Sequence, residues 1–157
     1  MGIPHTELTD EHKSYLLDLF TTALEGGIGY WSECSKYHWR HAVVGGEAED
    51  LNGFVAVIYP PEQEGGWGMF DTEDTRPLKI DLEVMHRGAR LMNWYVQGLV
   101  DGHGKQIPLD DITPWPAKHY YWQFVESYVT LGQSGDYDAG VADMVVQFGL
   151  FGEVVYG

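Results

Sequence analysis

An α+β domain, with an antiparallel hairpin or small sheet packed against about four α-helices, is predicted by three features of the sequence. Apolar residues recur at helical spacing in four stretches, near 10–24, 80–97, 117–131 and 139–148. Two shorter stretches, 37–44 and 54–59, are rich in aromatic and β-branched residues and are separated by the turn-forming GGEAEDLNG. A hydrophobic fraction of 44% in 157 residues supplies the apolar area that one core needs. One compact domain over 1–157 follows, with no internal repeat to suggest otherwise.

The first helix is capped by Thr9, opens with Asp10 and Glu11 at the positive end of its dipole, and buries Tyr15, Leu16, Leu19, Phe20, Ala23 and Leu24. Gly26 and Gly27 are expected to end it through the left-handed conformation that glycine adopts cheaply. The hairpin then runs Tyr37 to Val44 and Phe54 to Tyr59, closed by Pro60 and Pro61. Residues 60–77, which hold prolines, glycines and five acids, read as an exposed loop excursion. A second helix follows from about Ile80 to Gln97, with Gly88 as a point of close packing. The third, from about Ala117 to Leu131, presents Tyr121, Trp122, Val125, Tyr128 and Val129 on one face, and Gly132 and Gly135 stop it. Asp138 caps the fourth, Ala139 to about Phe148, and the tail GEVVYG adds a strand or docks on the core.

Charge is the strongest bulk signal. There are 24 acidic against 9 basic residues, a net charge of -15. Such a surface repels a phosphate backbone, which argues against direct nucleic-acid binding, and attracts basic proteins. The acids Glu47, Glu49, Asp50, Glu62, Glu64, Asp71, Glu73 and Asp74 fall in a stretch without Lys or Arg. Trp67, set among glycines in EGGWGMF within that stretch, has the character of an interface anchor. These nine residues form the expected partner-binding surface; solvation of a small acidic protein is the alternative account of the carboxylates. The amino-terminal residues lack an apolar signal core, Cys34 has no partner for a disulfide, and no apolar run reaches a membrane-spanning length of about 18 residues. A cytoplasmic protein without a membrane partner is expected.

The stretch ALEGGIGYWSECSKYHWRH, residues 23–41, concentrates chemistry-bearing side chains. Cys34, His38 and His41, with Glu33, would share a helical face suited to zinc, but Tyr37 and Trp39 favour a strand, where Cys34 and His41 point to opposite faces. A nucleophilic Cys34 needs an electropositive setting that the overall charge opposes. The glycines of GGIGYW follow a helix instead of a strand and lack the phosphate-loop order. Asp136, Asp138 and Gly140 begin like a calcium loop, but its twelfth position is Gln147, which leaves Asp138 as a cap and Asp143 as a solvent-facing or paired helix residue. No catalytic residue, metal or cofactor is assigned. What remains is a candidate pocket at Tyr30, Trp31, Cys34, His38 and Trp39, with Lys36, Arg40, Arg87 and Arg90 as the cations available to an anionic ligand.

Two stretches, FTTALEGGIGYWSECSKYHW and DYDAGVADMVVQFGLFGEVVYG, resemble a family of small acidic proteins of unassigned function encoded by actinobacteriophages and actinobacterial prophages. The resemblance implies a phage accessory protein in a bacterial host cytosol and carries over no catalytic residue. Together with the charge it points to binding of a basic surface on a host nucleic-acid-handling or defence enzyme, with carboxylates standing in for DNA phosphates. Two other functions are compatible with the sequence. One is a small-molecule or nucleotide-binding protein, a defence-signal sponge or weak enzyme, using the aromatic pocket. The other is a self-assembling structural component; aromatic content suits a homodimer, although no heptad repeat specifies one.

Overall fold

The computed structural model describes residues 8–38, 54–59, 78–111 and 121–156, for 33–38 and 109 the backbone alone. The fold is α+β. Helix α1 (Asp10–Gly26), strands β1 (Glu33–His38), β2 (Val55–Tyr59) and β3 (Leu78–Asp81), and helices α2 (Leu82–Val96), α3 (Trp122–Thr130) and α4 (Ala139–Phe151) follow in chain order. The three strands form an antiparallel sheet in the order β1-β2-β3.

Most helix signals act where the sequence puts them. Thr9 Oγ1 accepts from His12 N at 3.0 Å and starts α1. Asp138 Oδ1 accepts from Val141 N at 2.8 Å and starts α4, which ends at Gly152 with φ 75°. Gly27 is a correction. Its φ of -112° is right-handed, so left-handed freedom does not explain the glycine. Close approach does: a Cβ on Gly27 would lie 2.5 Å from the Ala139 carbonyl oxygen, where the end of α1 meets the start of α4.

The sheet departs further from expectation. β1 begins at Glu33 and not Tyr37, and His38 pairs with Val55, while residues 39–53 between the strands lie outside the described residues. A register shift between Cys34 and Lys36 marks a bulge. β3 was not anticipated. Its four residues precede the helix directly, and Asp81 both closes the strand against Val55 and caps α2 by accepting from Val84 N at 3.0 Å. Helical periodicity therefore extended the second helix two residues too far back, to Ile80, which pairs with Ala56 in the sheet.

The core lies between the sheet and the helices. β2 directs Ala56 and Ile58 inward, β3 adds Ile80, and α1 contributes Leu16, Leu17, Leu19 and Phe20. Each of these larger aliphatic or aromatic side chains stabilises the fold by roughly 1.5–3 kcal/mol on burial. α4 is the central helix, buried along Val141, Ala142, Val145, Val146 and Phe148. It packs against α2 through reciprocal glycines: a Cβ on Gly88 would collide with the Val145 carbonyl, and one on Gly149 with the Val84 carbonyl. Gly88 is the close-packing point that the sequence indicates. α3 meets the core with Tyr121, Val125 and Tyr128 of its expected face and with the buried Phe124 and Ser127, while Trp122 is 44% exposed and Val129 lies in solvent. The reason is polar. Ser127 donates to Phe124 O at 2.8 Å, so the buried Tyr15 hydroxyl, 2.7 Å away, must donate to Ser127, which fixes that face of α3 inward.

Gly88→Ala, which forces the two backbones apart, is expected to destabilise by about 2 kcal/mol. Gly29→Ala, with open space around its Cβ, is expected to stay within about 0.5 kcal/mol. Urea unfolding midpoints at constant slope measure both.

Candidate functional site

Between α1 and β1 a single 3-10 turn, Ile28–Tyr30, places two aromatic side chains over α4. Trp31 Nε1 donates to Asp143 Oδ1 at 2.7 Å and the Tyr30 hydroxyl donates to Oδ2 at 2.8 Å. Gln147, one helical turn beyond Asp143, donates to Oδ1 at 3.0 Å. The carboxylate is 5% exposed and is held by neutral donors. This corrects the solvent-facing alternative for Asp143: it is a buried acceptor, and its interaction with the Tyr30 hydroxyl, after burial itself, helps push that phenol up to about 12.

Gln147 extends the network to the tail. Its Oε1 accepts from Val155 N and Tyr156 N, each at 2.8 Å, and Nε2 also donates to Tyr156 O at 3.2 Å. The tail thus docks and adds no strand. Tyr156 stacks on Trp31 with centroids 4.8 Å apart and planes 7° off parallel, and Phe151 closes another side at 5.9 Å. At 1% exposure Trp31 is a core residue, not the wall of an open pocket as the sequence suggested. Tyr30 keeps an exposed ring with its hydroxyl held by Asp143. Of the other pocket residues, Cys34 and His38 lie on β1 opposite Ile58 and Val55, and Trp39 lies outside the described residues.

Among the described residues, the arginines expected to serve an anionic ligand are engaged elsewhere. Arg87 donates from Nε and Nη2 to Gly149 O at 2.9 and 2.6 Å, tying α2 to the end of α4. Arg90 lies over Trp94 with its Cζ 5.5 Å from the ring centroid. Arg40, and the side chain of Lys36, lie outside the described residues. Lys13 is buried in α1, and Lys79 approaches Asp81 at 3.9 Å. By contrast Asp10, Glu11, Glu25, Glu83, Asp110, Asp111, Glu126, Asp136 and Asp138 are exposed.

One cavity of about 250 Å³ opens between α3 and the start of α4. Tyr121, Phe124, Tyr137 and Val141 give it an apolar lining, and Asp136 and Asp138 add carboxylates. That combination suits a cationic side chain with an aliphatic stem. The sequence reading missed this cavity because its residues come from a helix face and a loop brought together by contacts such as Asp136 N donating to Gln123 O at 3.1 Å and the Phe124–Tyr137 ring contact. It also missed a junction where His12 of α1 meets His86 of α2, a contact that no local spacing announces.

Glu47, Glu49, Asp50, Glu62, Glu64, Trp67, Asp71, Glu73 and Asp74, the expected partner-binding residues, all lie outside the described residues. Among the described residues no three His, Cys, Asp or Glu side chains are placed to hold a metal ion, and no described helix is long and apolar enough to cross a membrane. No family model, curated protein or solved structure matches the chain.

Asp143→Ala leaves the buried Trp31 and Gln147 donors without their acceptor and is expected to destabilise by about 3 kcal/mol. Tyr30→Phe removes one donor from a half-exposed position and is expected to cost about 1 kcal/mol. Chemical denaturation of the two variants measures the difference.

Proposed function

We propose that the protein is a phage accessory protein that binds a basic surface of a host protein, a nucleic-acid-handling or defence enzyme, as an acidic DNA mimic. The observation that carries this reading is the division of charge in the fold. Arg87 is bonded to a main-chain carbonyl, Lys13 is buried and Arg90 is laid over Trp94, which leaves Lys79 and Lys105 as the exposed cations among the described residues, against the nine named carboxylates of α1, α2, α3 and the connecting turns that face solvent. The surface is therefore more one-sided than the composition alone requires, and a net charge of -15 gives it reach. The phage origin rests on the resemblance of residues 20–39 and 136–157.

The contact would combine the acidic stretch 47–74 with the carboxylate-bearing cavity at α3 and α4, which offers an aromatic seat for an arginine or lysine of the partner. Such a complex depends on exposed charges, so its affinity falls as salt shortens the screening distance from about 8 Å at physiological ionic strength to about 3 Å at 1 M.

Affinity capture from actinobacterial lysate is expected to retain a basic nucleic-acid-handling protein at low salt and release it at high salt. Lysine replacement of Glu62, Glu64, Asp71, Glu73 and Asp74 is expected to weaken that complex by at least about tenfold, given the several kcal/mol that like-charge contacts cost at an interface. Unchanged binding by this variant would overturn the assignment.

A further inference from the structure

Two imidazoles meet where α1, α2 and α3 converge. His12, in the first turn of α1, lies with its ring centroid 5.3 Å from that of His86 in α2, the planes 76° apart. Its other neighbour is the Tyr128 ring of α3, at 6.5 Å and 84°. Arg90 sits one turn beyond His86 on the same side of α2. His86 is only 8% exposed. Three nitrogens in this junction, His12 Nε2, His86 Nδ1 and Arg90 Nε, are shut off from solvent and make no hydrogen bond. Buried polar atoms of this kind are uncommon and call for a physical account.

The neutral rings supply one. An edge-on imidazole can direct an N–H or C–H edge at the face of its neighbour, a weak contact that satisfies part of the lost hydrogen bonding without any net charge. A protonated ring keeps its edges but brings a net charge into a place shut off from water. It would be a buried cation facing the other imidazole and the Arg90 guanidinium. From α3 the facing titratable group is the Tyr128 phenol, which is neutral near pH 7 because burial raises it. The titratable group on the buried side of α4, Asp143, is engaged by Tyr30, Trp31 and Gln147. No carboxylate among the described residues pairs with either histidine of this junction.

We propose that the His12–His86 contact is an acid-operated latch, closed while both rings are neutral and opened by a proton taken up on either one, which releases α1 from α2 and α3. Burial lowers both histidines from their ordinary value of 6.5, and for His86 the neighbouring His12 and Arg90 lower it further. The direction of the effect follows. Well above pH 6.5 both rings are neutral in the folded and the unfolded chain, and the latch contributes its full share. As pH falls below 6.5 the unfolded chain takes up protons that the folded one refuses, so stability declines until the pH reaches the lowered folded values. Each unit of lowering corresponds to a tenfold shift in the opening equilibrium.

Hydrogen exchange of the full chain at pH 7.5 and pH 5.0, corrected for intrinsic exchange, tests this. Protection of the α1 amides is expected to fall by about tenfold or more at pH 5.0, and an His12→Gln, His86→Leu double variant is expected to lose that pH dependence. Arg90→Gln, which keeps both rings and removes the adjacent cation, is expected to shrink the fall. Undiminished protection of α1 at pH 5.0, or the same fall in the double variant, would overturn the proposal. So would either ring titrating at or above 6.5 in a histidine-resolved NMR titration.

Discussion

A carboxylate buried without a cation organises one whole side of this molecule. Asp143 is held by Trp31, Tyr30 and Gln147, all neutral donors, so its charge is stabilised by directed hydrogen bonds and not by an opposing ion. The arrangement is demanding, because each donor that moves weakens the hold on a buried anion, and Tyr30 is the donor to Oδ2. The turn after α1, the middle of α4 and the tail are consequently coupled: Trp31 cannot leave Asp143 without losing its stack on Tyr156, and Tyr156 is itself bonded to Gln147. What the sequence presents as a dense run of reactive residues is, at its start, an anchor.

The same economy of charge appears on α2. Arg87 reaches across to the Gly149 carbonyl beside the glycine contact of α2 and α4, where the main chains approach too closely for side chains to intervene. A guanidinium placed there satisfies a carbonyl near the end of α4 and complements the negative end of the helix. With Lys13, Arg87 and Arg90 occupied in this way, Lys79 and Lys105 are the exposed cations among the described residues, and carboxylates outnumber them on the outer surface. Internal packing and external charge are two results of one allocation of residues.

Much of the fold was legible because it rests on local rules. Thr9 and Asp138 cap helices by hydrogen bonds to residues three positions on, and the periodicity of Leu16, Leu19, Phe20 and Ala23 marks a buried face. Legibility failed where a partner distant in sequence decided the outcome. Gly27 reads as a helix terminator, yet its need for a missing side chain comes from Ala139. The face of α3 was read correctly at Tyr121, Val125 and Tyr128 but not at Trp122 and Val129, because Ser127, a polar residue, is turned inward by Tyr15. β3 escaped notice because four residues joined to a helix leave no alternating pattern long enough to see. For the site, Tyr30 and Trp31 were correctly singled out as unusual, but a binding wall and a core anchor use the same aromatic residues, and only Asp143 distinguishes them.

The link from Trp31 to Asp143 spans 112 positions of chain, and this has a consequence for how the protein comes into being. During synthesis at about 5–20 residues per second, the residue that receives Trp31 emerges roughly 6 to 22 s after Trp31 itself. Through that interval α1 carries Leu16, Leu17 and Phe20 without the helix that will cover them. Nucleation by α1 alone gains little, since the contacts that fix it are non-local and the loop to be closed is long. Ordering of α1 is therefore tied to the arrival of α4, and the two elements are expected to order together.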